Sequence, residues 1–277
     1  MKPGDGSAET TEGPGAGDGG HPVVLRAPAK LTLSLAVTGV RPDGLHLIRA
    51  EMVTLDLHDT LELTPGGSGL TVIGGGDDIP TGPDNLVNKA LGLVGRTAAI
   101  RLTKRIPSQA GLGGGSSDAG AILRWAGFDD LEAAAGLGAD VAFCTVGGRA
   151  IVEGMGEVVR PLPFVPLIFT LVTPPLACPT GAIYRAWDEL GGPTGEAGND
   201  LEPAALHVMP ELARWRDELA EATGRRPRLA GSGSTWFVEG DHPGAGRVVC
   251  RTVDRGDRAK TENTPGHDGR ATAQFDA

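Results

Sequence analysis

Cysteine is scarce: Cys144, Cys178 and Cys250 are the only three in 277 residues. They are odd in number, far apart and never in a CxxC pair. That excludes a disulfide framework and a cysteine-based zinc site, and a reduced cytoplasmic protein is the expectation. Long apolar runs are missing too, so no membrane span is expected. The N-terminus has no apolar core of the kind that marks a secretory signal. Positive charge is in deficit, with a formal net charge of −10. General nucleic-acid binding needs clustered Lys and Arg, so it is excluded, whereas a small anionic ligand needs only a local site. Neither common nucleotide fingerprint is present. No Lys follows the glycine cluster, which removes GxxxxGK[ST], and Ser116 stands where GxGxxG needs its last glycine.

What is present supports a substantial core, since 40% of the residues are apolar. The length allows one large domain or two modest ones. Residues 1–22 and 254–277 are rich in small and charged residues and are expected to be disordered tails. Order is expected from Val23, with a short strand stopped at Pro28. Leu31, Leu33, Leu35 and Val37 then alternate with polar or small residues, which is the period of a half-buried strand. Arg41-Pro42-Asp43-Gly44 reads as a turn. Further strands are expected at 51–57, 60–64, 70–73 and 100–102, with a helix capped by Asp84-Asn85 running to Val94. Residues 138–143 read as a polar turn running into apolar chain, and Gly154 and Gly156 suggest a hairpin. Beyond a proline-rich boundary at 158–166 come a strand at 167–173, a helix at 181–190 capped by Thr180, and a helix carrying Leu212, Trp215 and Leu219. Three more strands follow, at 228–230, 235–239 and 247–252. The irregular order of strands and helices predicts an α+β protein of two domains, 23–160 and 161–253.

The stretch 107–118, PSQAGLGGGSSD, organises the chain. Gly111, Gly113, Gly114 and Gly115 lie between a strand pattern and a helix expected to begin near Ala119. Such a junction turns backbone N–H groups into a concavity at a helix N-terminus, which suits an anion. A phosphate loop and a bare turn both remain open on these residues alone. Asp118 is expected in the first helical turn, where the dipole favours an acid, with a metal role as the alternative.

Pro107, Gly111, Leu112, Gly113, Gly114, Gly115, Ser116 and Ser117 together resemble the ATP loop of the GHMP kinases, which include galactokinase, homoserine kinase and mevalonate kinase. Other stretches match in the family's order: Pro28-Ala29-Lys30-Leu31, Asp43-Gly44-Leu45-His46, Asp84-Asn85-Leu86, Gly138-Ala139-Asp140-Val141, Ile183-Tyr184 and Leu229-Ala230-Gly231-Ser232-Gly233. The Asp-Gly-x-His turn and the Gly-Ala-Asp-Val run are similar to the branch acting on a cytidine-diphosphate-linked methylerythritol in the non-mevalonate isoprenoid pathway. The resemblance implies an N-terminal domain like ribosomal protein S5 domain 2 and a ferredoxin-like C-terminal domain. It also implies transfer of the γ-phosphate of ATP to the 2-hydroxyl of that sugar alcohol. Lys30 and Asp140 would be the catalytic residues, with Asp140 accepting the hydroxyl proton. Thr32, Leu45, His46 and Tyr184 (the only tyrosine) would hold the substrate. Mg²⁺ would accompany ATP, with Ser116 or Ser117 as ligand. The chain departs from the family pattern in having Leu45 for Tyr, Thr32 for Asn, Ala142 for Pro, and a shorter span from Ser117 to Asp140. Two alternatives stay open: a GHMP kinase with a different alcohol, and a relative that binds nucleotide without transfer.

Overall fold

The computed structural model describes residues 21–76 and 79–256, so the expected tails at 1–22 and 254–277 fall almost wholly outside the described residues. Two sheets form an α+β architecture. The first has the order β3-β4-β2-β5-β6, with β1 paired to β2 off that path. Its strands are β1 Val23–Val40, β2 His46–Pro65, β3 Leu70–Ile73, β4 Ala98–Thr103, β5 Arg149–Gly154 and β6 Val158–Leu162. All its pairings are antiparallel except β3 with β4. The second sheet is antiparallel in the order β10-β7-β9-β8, from β7 Ile168–Val172, β8 Arg228–Leu229, β9 Trp236–Glu239 and β10 Arg247–Arg251.

Pro28 does not stop the first strand. It sits at a register shift, where the pairing passes from Pro28–His58 to Lys30–Thr54. A bulge leaves a ladder position unpaired, so the missing proline N–H costs nothing there. The shift also re-aims the chain at Lys30. The strands expected at 51–57 and 60–64 are likewise one continuous β2.

Seven helices are described: α1 Leu86–Leu93, α2 Gly114–Ala126, α3 Leu131–Leu137, α4 Val141–Val146, α5 Thr180–Glu189, α6 Glu202–Val208 and α7 Leu212–Thr223. Asn85 caps α1 through its side chain, accepting from the Val87 N–H at 2.9 Å. Helix α2 begins at Gly114, not near Ala119, so the glycines form its first turn. The polar turn expected from 138 is present at 139–140, and the apolar chain it runs into is α4, with Asp140 as N-cap. Thr180 is the first residue of α5 and Pro179 its cap. Helix α6 was not anticipated.

Leu25, Leu61, Ile100, Ile122 and Leu123 pack helices α1–α4 on the first sheet. Leu31, Leu55, Leu112, Phe169 and Phe237 fill the space between the two sheets, with the two phenylalanine rings edge to face at 5.7 Å. Burying each such side chain contributes about 1.5–3 kcal/mol. That shared core holds β1 and the glycine loop against the second sheet.

Candidate active site

A cleft of about 560 Å³ opens where β1, the glycine loop, α4 and α5 meet. Lys30 is buried on β1, its backbone N–H donating to the Leu112 carbonyl at 3.0 Å. Its Nζ lies 3.3 Å from Asp140 Oδ2 and donates to Thr32 Oγ1 at 3.1 Å. Asp140 makes no side-chain capping bond on α4. Its carboxylate therefore stays available to the cleft, beside a helix N-terminus that favours negative charge. A carboxylate held by an ammonium can orient a hydroxyl and take its proton, while the ammonium offsets charge developing on a transferred group.

The glycine loop faces this pair. The N–H groups of Gly113, Gly114, Gly115 and Ser116 have no hydrogen-bond acceptor among the described residues. They are the orphan donors of the first turn of α2 and form an anion cradle. Two glycines are demanded by close approach. A Cβ on Gly111, at φ 77°, would meet the Ala230 carbonyl oxygen at 2.4 Å. One on Gly113, at φ 68°, would meet Lys30 Cγ at 2.7 Å. The loop containing Gly231, Ser232 and Gly233 thus abuts the first glycine loop and lines the same cleft. Buried Asn199 holds that second loop, donating to the carbonyls of Leu229 and Gly231 at 2.9 and 2.7 Å.

Lys30, Thr32, Pro107, Gly111, Gly113, Gly114, Gly115, Ser116, Asp140 and Tyr184 all line the cleft. Leu112 and Ser117 do not. Leu112 is in the core, and the Ser117 hydroxyl lies 3.5 Å from Cys144 Sγ, with the residue 1% exposed. An adjoining cavity of about 820 Å³ holds Leu45 and His46 and shares Ile48, Ala139 and Tyr184 with the cleft. There His46 Nε2 pairs with Asp188 Oδ1 at 2.9 Å. The His46 ring lies 4.6 Å from that of Tyr184, with the Trp187 ring edge-on at 5.7 Å. Leu45 is 50% exposed. Burial, helped by the Asp140 charge, pushes the Tyr184 hydroxyl well above the usual phenol range.

Asp118 is not in the first turn of α2. It is buried in the second, bonded to Lys104 Nζ at 2.6 Å. Lys104 also donates to buried Asp59 at 2.5 Å. One ammonium faces two carboxylates. Burial, opposed by Lys104 and reinforced by Asp59, pushes the Asp118 carboxyl up to about 8. Burial alone would lower Lys104, but the two acids raise it.

Lys104, Asp59, Trp187 and Asp188 were not picked out from the sequence. Trp187 and Asp188 lie three and four positions beyond Tyr184, the spacing that places side chains together on a helix. Nothing local distinguishes a buried Lys104 from a solvated one. Arg124 was also missed. Its guanidinium donates to the Cys144 carbonyl and, at 3.0 Å, to that of Arg26, joining α4 to β1. Among the described residues no group of three or more His, Cys, Asp or Glu side chains could hold a metal, and no helix is long and apolar enough to cross a membrane.

No protein-family model matches the chain. A 4-diphosphocytidyl-2-C-methyl-D-erythritol kinase of Pelotomaculum thermopropionicum is 38% identical over 83% of this chain and 93% of its own length. The enzyme of the same name from Paracoccus denitrificans is 37% identical, covering 76% and 84%. A crystal structure of 4-(cytidine 5'-diphospho)-2C-methyl-D-erythritol kinase superposes with a TM-score of 0.67 at 32% identity, over 83% of this chain and 98% of that one. Mevalonate kinase of Methanococcus jannaschii, at 14% identity and a TM-score of 0.56, shares the fold.

Proposed function

The chain belongs to the 4-diphosphocytidyl-2-C-methyl-D-erythritol kinase family, and we infer that it transfers the γ-phosphate of ATP to the 2-hydroxyl of that cytidine-linked sugar alcohol. The observation that carries this reading is the Lys30–Asp140 pair, 3.3 Å apart, in the cleft lined by Gly113, Gly114 and Gly115. ATP phosphates sit on the free N–H groups at the start of α2. The acceptor hydroxyl lies against Asp140, which takes its proton, and Lys30 stabilises the transferring phosphoryl group. Positioning and electrostatics supply most of the rate, because phosphoryl transfer asks little covalent work of the protein. Tyr184 stacks on the cytosine and His46 meets its edge.

Mg²⁺ neutralises and orients the phosphates when bound. The Ser116 hydroxyl at the cleft is the protein group that would hold it, the ion otherwise keeping oxygen ligands that the protein does not supply. Ser117, turned into the core, is not in that set. We read residues 23–160 and 161–253 as ribosomal protein S5 domain 2-like and ferredoxin-like domains. The enzyme is proposed to be cytoplasmic, its three cysteines free thiols, and to serve the non-mevalonate route to isoprenoid precursors.

A coupled ADP-release assay with Mg-ATP and the cytidine-linked methylerythritol tests the reading. Substrate-dependent ADP release is expected. A folded protein giving only background release overturns it. Faster turnover of cytidine-free alcohols would move the chain to another GHMP substrate, the outcome that the half-exposed Leu45 favours.

A further inference from the structure

The glycine loop has little regular structure to hold it. Between β4 and α2 it runs with positive φ at Gln109, Gly111 and Gly113, at 53°, 77° and 68°. Its middle is tied sideways, with the Ala110 carbonyl accepting from Thr235 and the Leu112 carbonyl from Lys30. Its two ends converge on one buried ammonium. Lys104 stands just past the end of β4, its N–H donating to the Ile73 carbonyl at 2.8 Å. The Nζ of Lys104 donates to Asp59 Oδ2 at 2.5 Å and to Asp118 Oδ2 at 2.6 Å. Asp59 Oδ1 accepts the backbone N–H groups of Arg105 and Ile106, the two residues before Pro107, at 2.5 and 2.8 Å. Asp118 lies on α2, past the loop's far end. A Cβ on Gly114 would be 3.2 Å from the ammonium, and Lys104 and Asp118 both line the cleft, so the cluster sits at the floor of the cradle.

We propose that Asp59, Lys104 and Asp118 form a buried clamp that fastens the entry and exit of the nucleotide loop to each other, making Lys104 a positioning residue for ATP. Stability alone gives little reason for such a cluster. Desolvating each charge costs several kcal/mol, and well-packed apolar replacements of buried ion pairs are often neutral or stabilising. Geometry does give a reason. The clamp joins β2, β4 and α2 through directional bonds at the two ends of a loop whose N–H groups must converge on one set of phosphate oxygens. Small misplacements of such donors are costly in binding and rate.

The inference rests on the kinase reading for the identity of the ligand, and a binding measurement separates the two. ADP is titrated calorimetrically into the full-length chain as wild type, Lys104→Met, Asp118→Leu and Asp118→Asn, well below each melting temperature. Asp118→Leu cuts the tie to α2 while leaving the Lys104–Asp59 pair. Asp118→Asn keeps an acceptor of the same shape. Lys104→Met and Asp118→Leu are expected to weaken ADP at least about tenfold, and Asp118→Asn to restore it to within about threefold. In turnover the KM for ATP should rise while the KM for the acceptor alcohol stays. A role confined to stability would lower the melting temperature and leave the ADP affinity in place, and that result overturns the clamp. If Lys104→Met does not fold, Asp118→Leu decides. No ADP binding by folded wild type would instead defeat the kinase reading itself.

Discussion

The cleft and the cavity that adjoins it are built from different materials. The half proposed for the nucleotide is backbone: N–H groups on Gly113, Gly114, Gly115 and Ser116 without an acceptor among the described residues, over a loop pressed against the Ala230 carbonyl. The half proposed for the acceptor is side chain: His46 bonded to Asp188, Tyr184 and Trp187 around it, and Leu45 half-exposed at the rim. A backbone site reads charge and shape common to every nucleoside triphosphate, and a substitution breaks it only by forcing the chain apart. A side-chain site can be rebuilt one residue at a time, so acceptor choice is where members of one fold can diverge. Of the departures from the family pattern, Leu45 lies at the rim of the side-chain half, and Thr32 accepts from Lys30 in the cleft, where the two halves meet.

The largest effect is expected where the halves meet. Asp140→Asn should lower kcat by about 10²–10⁴ and leave ADP binding by calorimetry as it is, since the nucleotide half is intact. Near-normal turnover would remove Asp140 from the proton-accepting role. Next comes a break confined to the backbone half. Gly111→Ala puts a methyl 2.4 Å from the Ala230 carbonyl oxygen at a φ of 77°. It should cost about 1–3 kcal/mol in denaturant unfolding and weaken ADP at least about tenfold. Unchanged ADP affinity would mean that the contact between the two glycine loops is dispensable. In the side-chain half, Tyr184→Ala should raise the KM for the cytidine substrate by roughly two- to tenfold, with the KM for ATP unmoved. Leu45→Tyr should lower the same constant by a similar factor if a second ring completes the stack. If neither moves it, the base sits elsewhere.

How far these regions were legible in the sequence follows the same division. The alternation of Leu31, Leu33, Leu35 and Val37 predicts a strand, and β1 has it. Its continuity through Pro28 was not legible, because the bulge that spares the missing N–H is set by the pairing partner on β2. The true start of α2 at Gly114 is not legible, because glycine is a poor helix former and the close packing that leaves Gly114 little room for a side chain comes from Ile106 and Lys104, outside the helix. Helix α6, seven residues long, is too short to show a period. In the site, Lys30 and Asp140 stood out only through resemblance, since a lone charge beside a strand or helix is usually solvated. Asp59 and Lys104 gave no local signal at all. They are 45 positions apart, and only folding brings them together.

The smallest effect separates the clamp's charge from its shape. The Asp118 carboxyl is raised from 3.8 to about 8 in the folded chain, chiefly by burial. Between those values the folded chain holds a proton that the unfolded chain has released. Linkage then makes stability fall as pH rises through this window, and level off above it. Asp118→Asn has no proton to release there. The difference in melting temperature, variant minus wild type, should therefore grow from pH 5 to pH 8 and flatten by pH 9. Groups not coupled to Asp118, such as the partly buried Glu202 whose carboxyl burial also raises, are common to both proteins and cancel in the difference. A pH-independent difference would mean that Lys104 holds Asp118 ionised throughout, so that the clamp works as a charged trio and the asparagine variant tests its geometry alone.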